Sequence, residues 1–516
     1  MVDGSTGDLT RLARGGVLNL VGGAVNGIAS FVLIVVATRG LRVSTAGAFF
    51  TALAIFTIAG TAVQMGADVG LVRMIARDRT VGRGDAVRRT LAVALIPVCI
   101  AGCIAGAAIV IWASALASAF GTGSDPMVMT DYLRVLGAFV PIFAVYSAAV
   151  AATRGFGTMM PSVAIDKIAT PMLQPLLIAI ALAAGLGAGA VSFAYGVPFA
   201  VGLVAVSLWL RRLLEGTGSG SEPDATASRG RGSFGAFWRF TAPRGLATMF
   251  QVAVFWLDTL LLGAFVSTRA AGIYTASTRY VLMGSFVLIA VINVIAPQLS
   301  ELLTRGAIGR ARTVYQTATG WIVLLTWPAF LTLAIFAPLF LRVFGRGFEA
   351  GASALAILSL SMLVSMACGP VDVVLLMAGK STWNLANTVV ALSLNVGRNL
   401  LLIPRYGMVG AAVAWAVSVA ANNVLPLLEV WILLRLEPFG SAFAVAACAS
   451  AVLYGGLGLL ARWIGGASMG AFAGFAVIAT GLYAAIAWRF RSTLELPVLV
   501  GSLRRRSADQ MPLPSA

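Results

Sequence analysis

A few charged side chains lie inside apolar runs of this chain, and its chemistry has to be sought there. In FWLDTLLLGAFVSTRAAGIYTASTRY, Phe255 to Tyr280, Asp258 and Arg279 occupy two neighbouring oily segments at similar depth. Arg398 stands five residues before Ile403, and Arg134 lies near the start of another apolar run. Towards the opposite ends of such runs come Asp68 with Arg73 beyond it, the pair Asp166–Lys167, Asp372 and Glu429. An ionised group in hydrocarbon costs several kcal/mol, so each should face a protein interior or a wet cavity. Arginine keeps its proton almost anywhere, whereas a carboxylate can escape by neutralisation. Guanidinium forks match phosphate oxygens, so cations facing a wet cavity would attract an anionic headgroup such as a pyrophosphate. Arg279, Arg398 and Arg134, with Asn395 as polar companion, form the candidate binding set. Asp258, Asp372, Asp68 and Arg73 form the candidate coupling or cavity network, in which Asp258 or Asp372 could carry a proton. The plainer alternative stays open: such charges clamp helices together or snorkel to headgroups. Asn384, Asn387 and Asn395 share roughly one helical side, where helix–helix hydrogen bonding is again the plain alternative.

Other chemistry is missing. The chain has no His, and it lacks a GxxxxGK[ST] phosphate loop and an HExxH zinc motif. Cys99, Cys103, Cys368 and Cys448 lie in apolar segments and are expected to be small buried hydrophobes, without disulfides or metal. No enzyme and no cofactor is expected, while coupling to Na⁺ or H⁺ stays open.

These residues must be positioned by membrane helices. Of 516 residues 59% are hydrophobic and 11% charged, and the mean hydropathy is +0.94; a soluble domain carries about 25% charged residues. Runs of roughly 20 apolar residues without strict alternation predict helical spans. Fourteen are expected, near 15–37, 45–69, 88–112, 131–153, 161–184, 189–210, 240–264, 272–296, 314–337, 351–378, 383–403, 408–432, 439–460 and 467–488. The first is too long for a signal-peptide core and reads as a retained span. With the N-terminus in the cytoplasm, 25 of the 36 Lys and Arg fall on the cytoplasmic side and 7 on the other, which favours both termini inside. The net charge of +17 is spread through turns, so it points to anionic lipid and not to nucleic acid.

The polar stretch EGTGSGSEPDATASRGRGS, Glu215 to Ser233, reads as a flexible linker between the sixth and seventh spans. Internal similarity supports a split there. STAGA at 44–48 pairs with RAAGIY at 269–274, TRGFGTMMP at 153–161 with AGKSTWN at 378–384, and GLGAGAVSFA at 185–194 with GMVGAAVAWA at 407–416. Offsets near 222–225 at all three places predict a duplicated six-span unit, the copies related by an axis along the membrane normal. The expected organisation is an all-α polytopic membrane protein. It has a six-helix lobe at 1–212, a linker at 213–238, a second six-helix lobe at 239–435, two added helices at 436–490 and a basic tail at 491–516.

Three longer stretches carry a resemblance. FWLDTLLLGAF…STRAAGIYTASTRY…VINVIAPQLSELL, GADVGLVRMIARDRTVGRGD (Gly66 to Asp85) and LLMAGKSTWNLANTVVALSLNVGRNLLLIPRYGMVGAAVAWAVS (Leu375 to Ser418) resemble Wzx-like flippases of lipid-linked oligosaccharides. Those are the polysaccharide-export members of the multidrug/oligosaccharidyl-lipid/polysaccharide exporter superfamily, related to lipid II flippases. The likeness implies two six-helix lobes around a V-shaped cavity and the flipping of a polyprenyl-pyrophosphate-linked glycan to the outer leaflet. It implies that Arg279 and Arg398, with Arg134, hold the headgroup, that Asp258 is the recurring acid of the seventh helix, and that Asp68 and Arg73 form the polar end of the second. A bacterial cytoplasmic membrane, a monomeric state and glycan-synthesis membrane proteins as partners are the remaining expectations, the bacterial origin read from the Ala-, Gly- and Arg-rich usage. A multidrug or small-cation exporter of the same superfamily and a non-transporting scaffold of a glycan-assembly complex are the alternatives.

Overall fold

A computed structural model describes residues 3–80, 84–215 and 233–496. Residues 216–232 of the expected linker and 497–516 of the basic tail therefore lie outside the described residues, while 213–215 and 233–238 are helical ends of α8 and α9. Among those described, every regular element is helical.

The elements are α1 (Asp3–Gly40), α2 (Val43–Gln64), α3 (Ala67–Thr80), α4 (Gly84–Ile111), α5 (Ala113–Phe120), α6 (Pro126–Gly155), α7 (Thr170–Ala183), α8 (Ala188–Glu215), α9 (Ser233–Phe265), α10 (Thr268–Thr304), α11 (Ile308–Ile335), α12 (Ala337–Leu341), α13 (Ala352–Cys368), α14 (Val371–Met377), α15 (Ser381–Leu434), α16 (Ser441–Ser450), α17 (Leu457–Gly465) and α18 (Met469–Arg489). A π-helical turn, Ser162–Ala169, leads into α7. Another, Ala451–Gly456, joins α16 to α17.

Among the described residues twelve helices are long and apolar enough to cross a bilayer, and thirteen with the bent pair Phe234–Ala253 and Phe255–Phe265. One of the twelve, Thr382–Leu434, has 53 residues. Unbroken, it would extend for about 80 Å at 1.5 Å per residue, against a hydrocarbon core of about 30 Å. It is not unbroken: Gly407 takes φ 55° and ψ −131°, a conformation open essentially to glycine alone. Just beyond it, a β-carbon on Gly410 would overlap the Leu402 carbonyl, so the two arms of α15 turn sharply here. With that break the helices account for the fourteen expected spans. Side chains such as Ile104, Ile111, Trp463 and Val477 are largely exposed, which in a membrane means lipid contact and not a missing partner. The cysteines fall under the same logic. Cys368 is buried, but Cys99, Cys103 and Cys448 are exposed; the expectation of burial fails for these three because an apolar residue need not be buried where lipid is the solvent.

The duplication leaves a mark in the turns. Left-handed glycines recur at Gly123 and Gly345, Gly157 and Gly379, and Gly185 and Gly407. Each pair is 222 residues apart, so equivalent turns in both halves use the same backbone device.

Contacts divide the chain at a different place, into Met1–Thr275 and Ala276–Ala516. In the first unit α4, α6 and α8 pack side by side, and α2 lies against α6 and α9. Asp125 caps α6 by accepting from the Met127 amide at 2.9 Å, with Pro126 following it. α9 and the first two turns of α10 belong to this unit because α2, α3 and α5 hold them, although the repeat assigns them to the second copy.

In the second unit α11, α13 and α15 pack together. The last two spans attach to α11. Tyr483 donates to the Leu324 carbonyl at 2.9 Å, Trp321 to the Leu494 carbonyl at 2.8 Å, and Arg462 to the Ile335 carbonyl. Phe336 stacks on Phe475, with ring centroids 5.3 Å apart. In lipid such packing and hydrogen bonding, and not hydrophobic burial, must hold helices together.

Candidate functional site

The first unit brings α2 against the second repeat at both of its ends, and glycine makes each approach possible. At the N-terminal end Gly47 crosses the start of α10. A β-carbon at Gly47 would overlap the Thr268 carbonyl, and one on Gly272 would lie 2.9 Å from the Gly47 α-carbon. Gly47 and Gly272 belong to the STAGA and RAAGIY copies of the repeat, so equivalent positions of the two copies meet face to face. A backbone latch closes the same end. The Thr122 amide donates to the Gly263 carbonyl at 3.2 Å, the Thr268 amide to the Thr122 carbonyl at 2.8 Å, and the Thr122 hydroxyl to the Ala264 carbonyl at 3.1 Å.

At the other end the chain breaks between α2 and α3. Met65 and Gly66 take φ 44° and 78°, and the broken corner fits against α9. A β-carbon on Gly66 would overlap the Thr241 carbonyl, and one on Gly245 would overlap the backbone of Met65 and Gly66. Beyond the break, Asp68 opens α3 and is partly exposed. Arg73 reaches across to α9, its guanidinium 4.3 Å above the Phe240 ring. The structure does not join Asp68 to Arg73 by an ion pair; the aromatic face takes the cation instead.

Asp258 is 3% exposed and accepts a 2.7 Å hydrogen bond from the Tyr274 hydroxyl. One residue along each helix, Thr259 and Thr275 share a hydrogen bond of 3.0 Å. These two rungs tie the end of α9 to the start of α10. Arg134 is exposed near the start of α6. A further polar cluster surrounds the π-helical turn. Tyr146 donates to Asp166 at 3.2 Å and shares a hydrogen bond with Thr170 at 3.1 Å, while Lys167 donates to Asn19 at 2.6 Å.

In the second unit Arg279 on α10 and Arg398 on α15 are both partly exposed. Asn395 is 1% exposed and accepts from the Asn399 amide at 3.1 Å. Asn387 donates to Glu429 at 2.7 Å, and Ser365 donates to Asn423 at 3.2 Å. Asp372 opens α14, just after a break at Gly369 and Pro370. Among the described residues no three or more His, Cys, Asp or Glu side chains converge as a metal site.

The Tyr274 partner of Asp258 and the Thr122 latch are not in the candidate set. Both could be found only by knowing which turns meet. The small residues at 47 and 272 did carry a signal, because both sit in copies of the repeat.

Comparison with known proteins agrees with this architecture. The lipid II flippase MurJ in an inward-closed conformation superimposes with a TM-score of 0.72 at 11% identity, covering 93% of this chain and 99% of that one. A multidrug-resistance MATE-family transporter of the MOP superfamily, inward-facing, gives 0.65 at 15% identity, covering 82% and 98%. In sequence, the probable low-salt glycan biosynthesis flippase Agl15 of Haloferax volcanii is 28% identical over 171 residues, 33% of this chain and 36% of that protein. The probable flippase AglR of the same organism is 26% identical over 211 residues, 39% and 43%. The chain thus matches less than half the length of either relative, and both are archaeal. The family profile described as "Polysaccharide biosynthesis protein" matches residues 12–303, and with more than half of its length inside that match the chain belongs to this family of multi-span membrane proteins.

Proposed function

We propose that the chain is a flippase that moves a polyprenyl-pyrophosphate-linked oligosaccharide from the cytoplasmic to the outer leaflet by alternating access. The carrying observation is the double crossing of α2, with Gly47 against Gly272 at one end and Gly66 against Gly245 at the other. A helix gripped at both ends by the second repeat can release one end while keeping the other, as exposing a site to each leaflet in turn requires. The names of the two archaeal relatives support a flippase and not an enzyme. The headgroup would be held by Arg279 and Arg398, with Arg134 and Asn395 as further contacts, while the prenyl tail stays in lipid. Asp258, Asp68 and Arg73 would serve the network that couples the two ends. Anionic lipids would favour the cytoplasmic side.

The test is leaflet exchange of a labelled polyprenyl-pyrophosphate glycan in proteoliposomes. Hydrogen bonds to charged groups contribute about 1.5–3 kcal/mol, so Arg279→Ala and Arg398→Ala should each slow exchange roughly tenfold or more. If both variants flip as fast as the unaltered chain, the headgroup assignment fails. If neither moves the glycan-lipid and the unaltered chain exports organic cations instead, the exporter reading replaces this one; its support is the shared fold with the multidrug transporter.

A further inference from the structure

We infer that Asp372 is the carboxyl that takes up and releases the coupling proton of the transport cycle. The word cycle rests on the flippase reading above; the acid itself rests on local geometry in the second unit.

The span Phe348–Met377 is interrupted near its C-terminal end, with the seven residues of α14 beyond the break. α13 stops at Cys368, Gly369 turns to φ 61° and ψ −153°, Pro370 follows, and α14 resumes at Val371. The break frees backbone groups that the structure then satisfies. The Gly369 amide donates to the Met366 carbonyl at 3.1 Å. The Cys368 carbonyl accepts from the Tyr315 hydroxyl of α11 at 2.7 Å. α11 presses so closely on the break that a β-carbon at Gly369 would overlap the Thr319 hydroxyl.

Beside these satisfied groups one atom is left over. The Asp372 Oδ1 is shut away from solvent and has no hydrogen-bond partner. Three other acids within spans are served: Asp258 by Tyr274, Asp166 by Tyr146 and Glu429 by Asn387. The ion pairs Arg305–Glu301, Arg312–Glu437 and Arg342–Glu349 do not reach Asp372. The titratable side chains at the break are Tyr315 from α11, whose hydroxyl is engaged by the Cys368 carbonyl, and Cys368 from α13. On the elements that follow, Lys380 is exposed at the turn and Glu429 of α15 is engaged by Asn387.

A buried carboxylate oxygen with neither donor nor cation is unstable as an anion. A proton removes the charge with no change in packing. Na⁺ would require a cage of oxygens, and among the described residues no three or more Asp, Glu, Cys or His side chains converge on Asp372 as a metal site. The step is simple: a proton from water on one side adds to the Asp372 carboxylate, forming an O–H bond, and that bond breaks when the proton leaves to water on the other side. Asp258 is the weaker candidate, since its carboxylate is already stabilised by Tyr274.

The test uses the full chain in lipid nanodiscs and proteoliposomes. Infrared difference spectra across a pH series should show a protonated-carboxyl band that disappears in Asp372→Asn, the neutral isostere, and persists in Asp258→Asn. This readout needs no substrate, so it stands or falls apart from the flippase reading. In proteoliposomes a pH gradient should accelerate glycan-lipid exchange by the unaltered chain. Asp372→Asn should exchange at the rate seen without a gradient, and Asp372→Glu should recover part of the response. A band that survives in Asp372→Asn, a gradient response unchanged in that variant, or a band abolished by Na⁺ at constant pH overturns the inference.

Discussion

Asp258 was conspicuous in the sequence because a carboxylate in an oily run has to be explained. Its explanation, Tyr274, was not, since a phenol in an apolar run is unremarkable until the partner is known. The bond crosses from α9 to α10 at 2.7 Å with the carboxylate almost wholly enclosed. Removing the donor leaves a buried acceptor short of a partner, which costs about 1–3 kcal/mol and more for a charged group. Tyr274→Phe should therefore lower unfolding stability in detergent by about 2 kcal/mol. Asp258→Asn should also destabilise, and the double variant should lose clearly less than the sum, because the second change removes a contact already gone. Strict additivity would show that the hydroxyl and the carboxylate act independently. Arg279 and Arg398 were legible as charges in the same way, but the roles of cation forks depend on what enters beside them, which no single sequence states.

The spans were legible because each must supply roughly 20 apolar residues, and lipid punishes any departure from a helix. The breaks within them were less so. Met65–Gly66, Gly369–Pro370 and Gly407 interrupt apolar runs without interrupting hydropathy, so composition passes over them. At Gly407 the geometry admits only glycine; Gly407→Ala should cost about 1–3 kcal/mol of strain, and a thermal unfolding midpoint equal to that of the unaltered chain would contradict the turn described here. The crossing of α2 with α10 makes a sharper prediction. With the four native cysteines replaced, cysteines at Thr122 and Ala264, whose groups are hydrogen-bonded at 3.1 Å, should cross-link readily under mild oxidation. Adding Gly47→Val places side-chain atoms where the Thr268 carbonyl lies, so the cross-link yield should fall several-fold. Gly235→Val, where a β-carbon meets nothing, should leave it unchanged. Undiminished cross-linking in the Gly47 variant would mean that the glycine approach does not govern this end.

At the scale of the molecule, duplication and contact disagree about where the chain divides, and the disagreement is informative. The repeat places the boundary at the polar linker, whereas contacts place it after Thr275. The difference is α9 and the start of α10, which belong to the second copy by descent and to the first by packing. Hydropathy could reveal the copies, but not which ends of them hold each other, because those contacts are made by backbone and glycine. What they mean for transport depends on which end faces the cytoplasm. If both termini are cytoplasmic, 25 of the 36 Lys and Arg fall on their side, an asymmetry of the kind that orients multi-span proteins. With both termini cytoplasmic, the Thr122 latch would lie at the outer end and the Gly66–Gly245 crossing at the inner one, and outward release would have to break the three hydrogen bonds of the latch. The expectation is that alkaline phosphatase fused after Gly466, between α17 and α18, is active, whereas the same enzyme fused after Arg435 is inactive and a fluorescent protein there is bright. Carbonyl acceptors freed by opening regain water, so weakening the latch with Thr122→Pro, which removes the amide donor to Gly263, should raise labelling of a cysteine placed at Ser267 from the outside severalfold. Reversed fusion activities would transfer the latch to the cytoplasmic end and make it the entry gate, leaving the two-ended grip of α2 intact but inverting the direction of every step assigned to it.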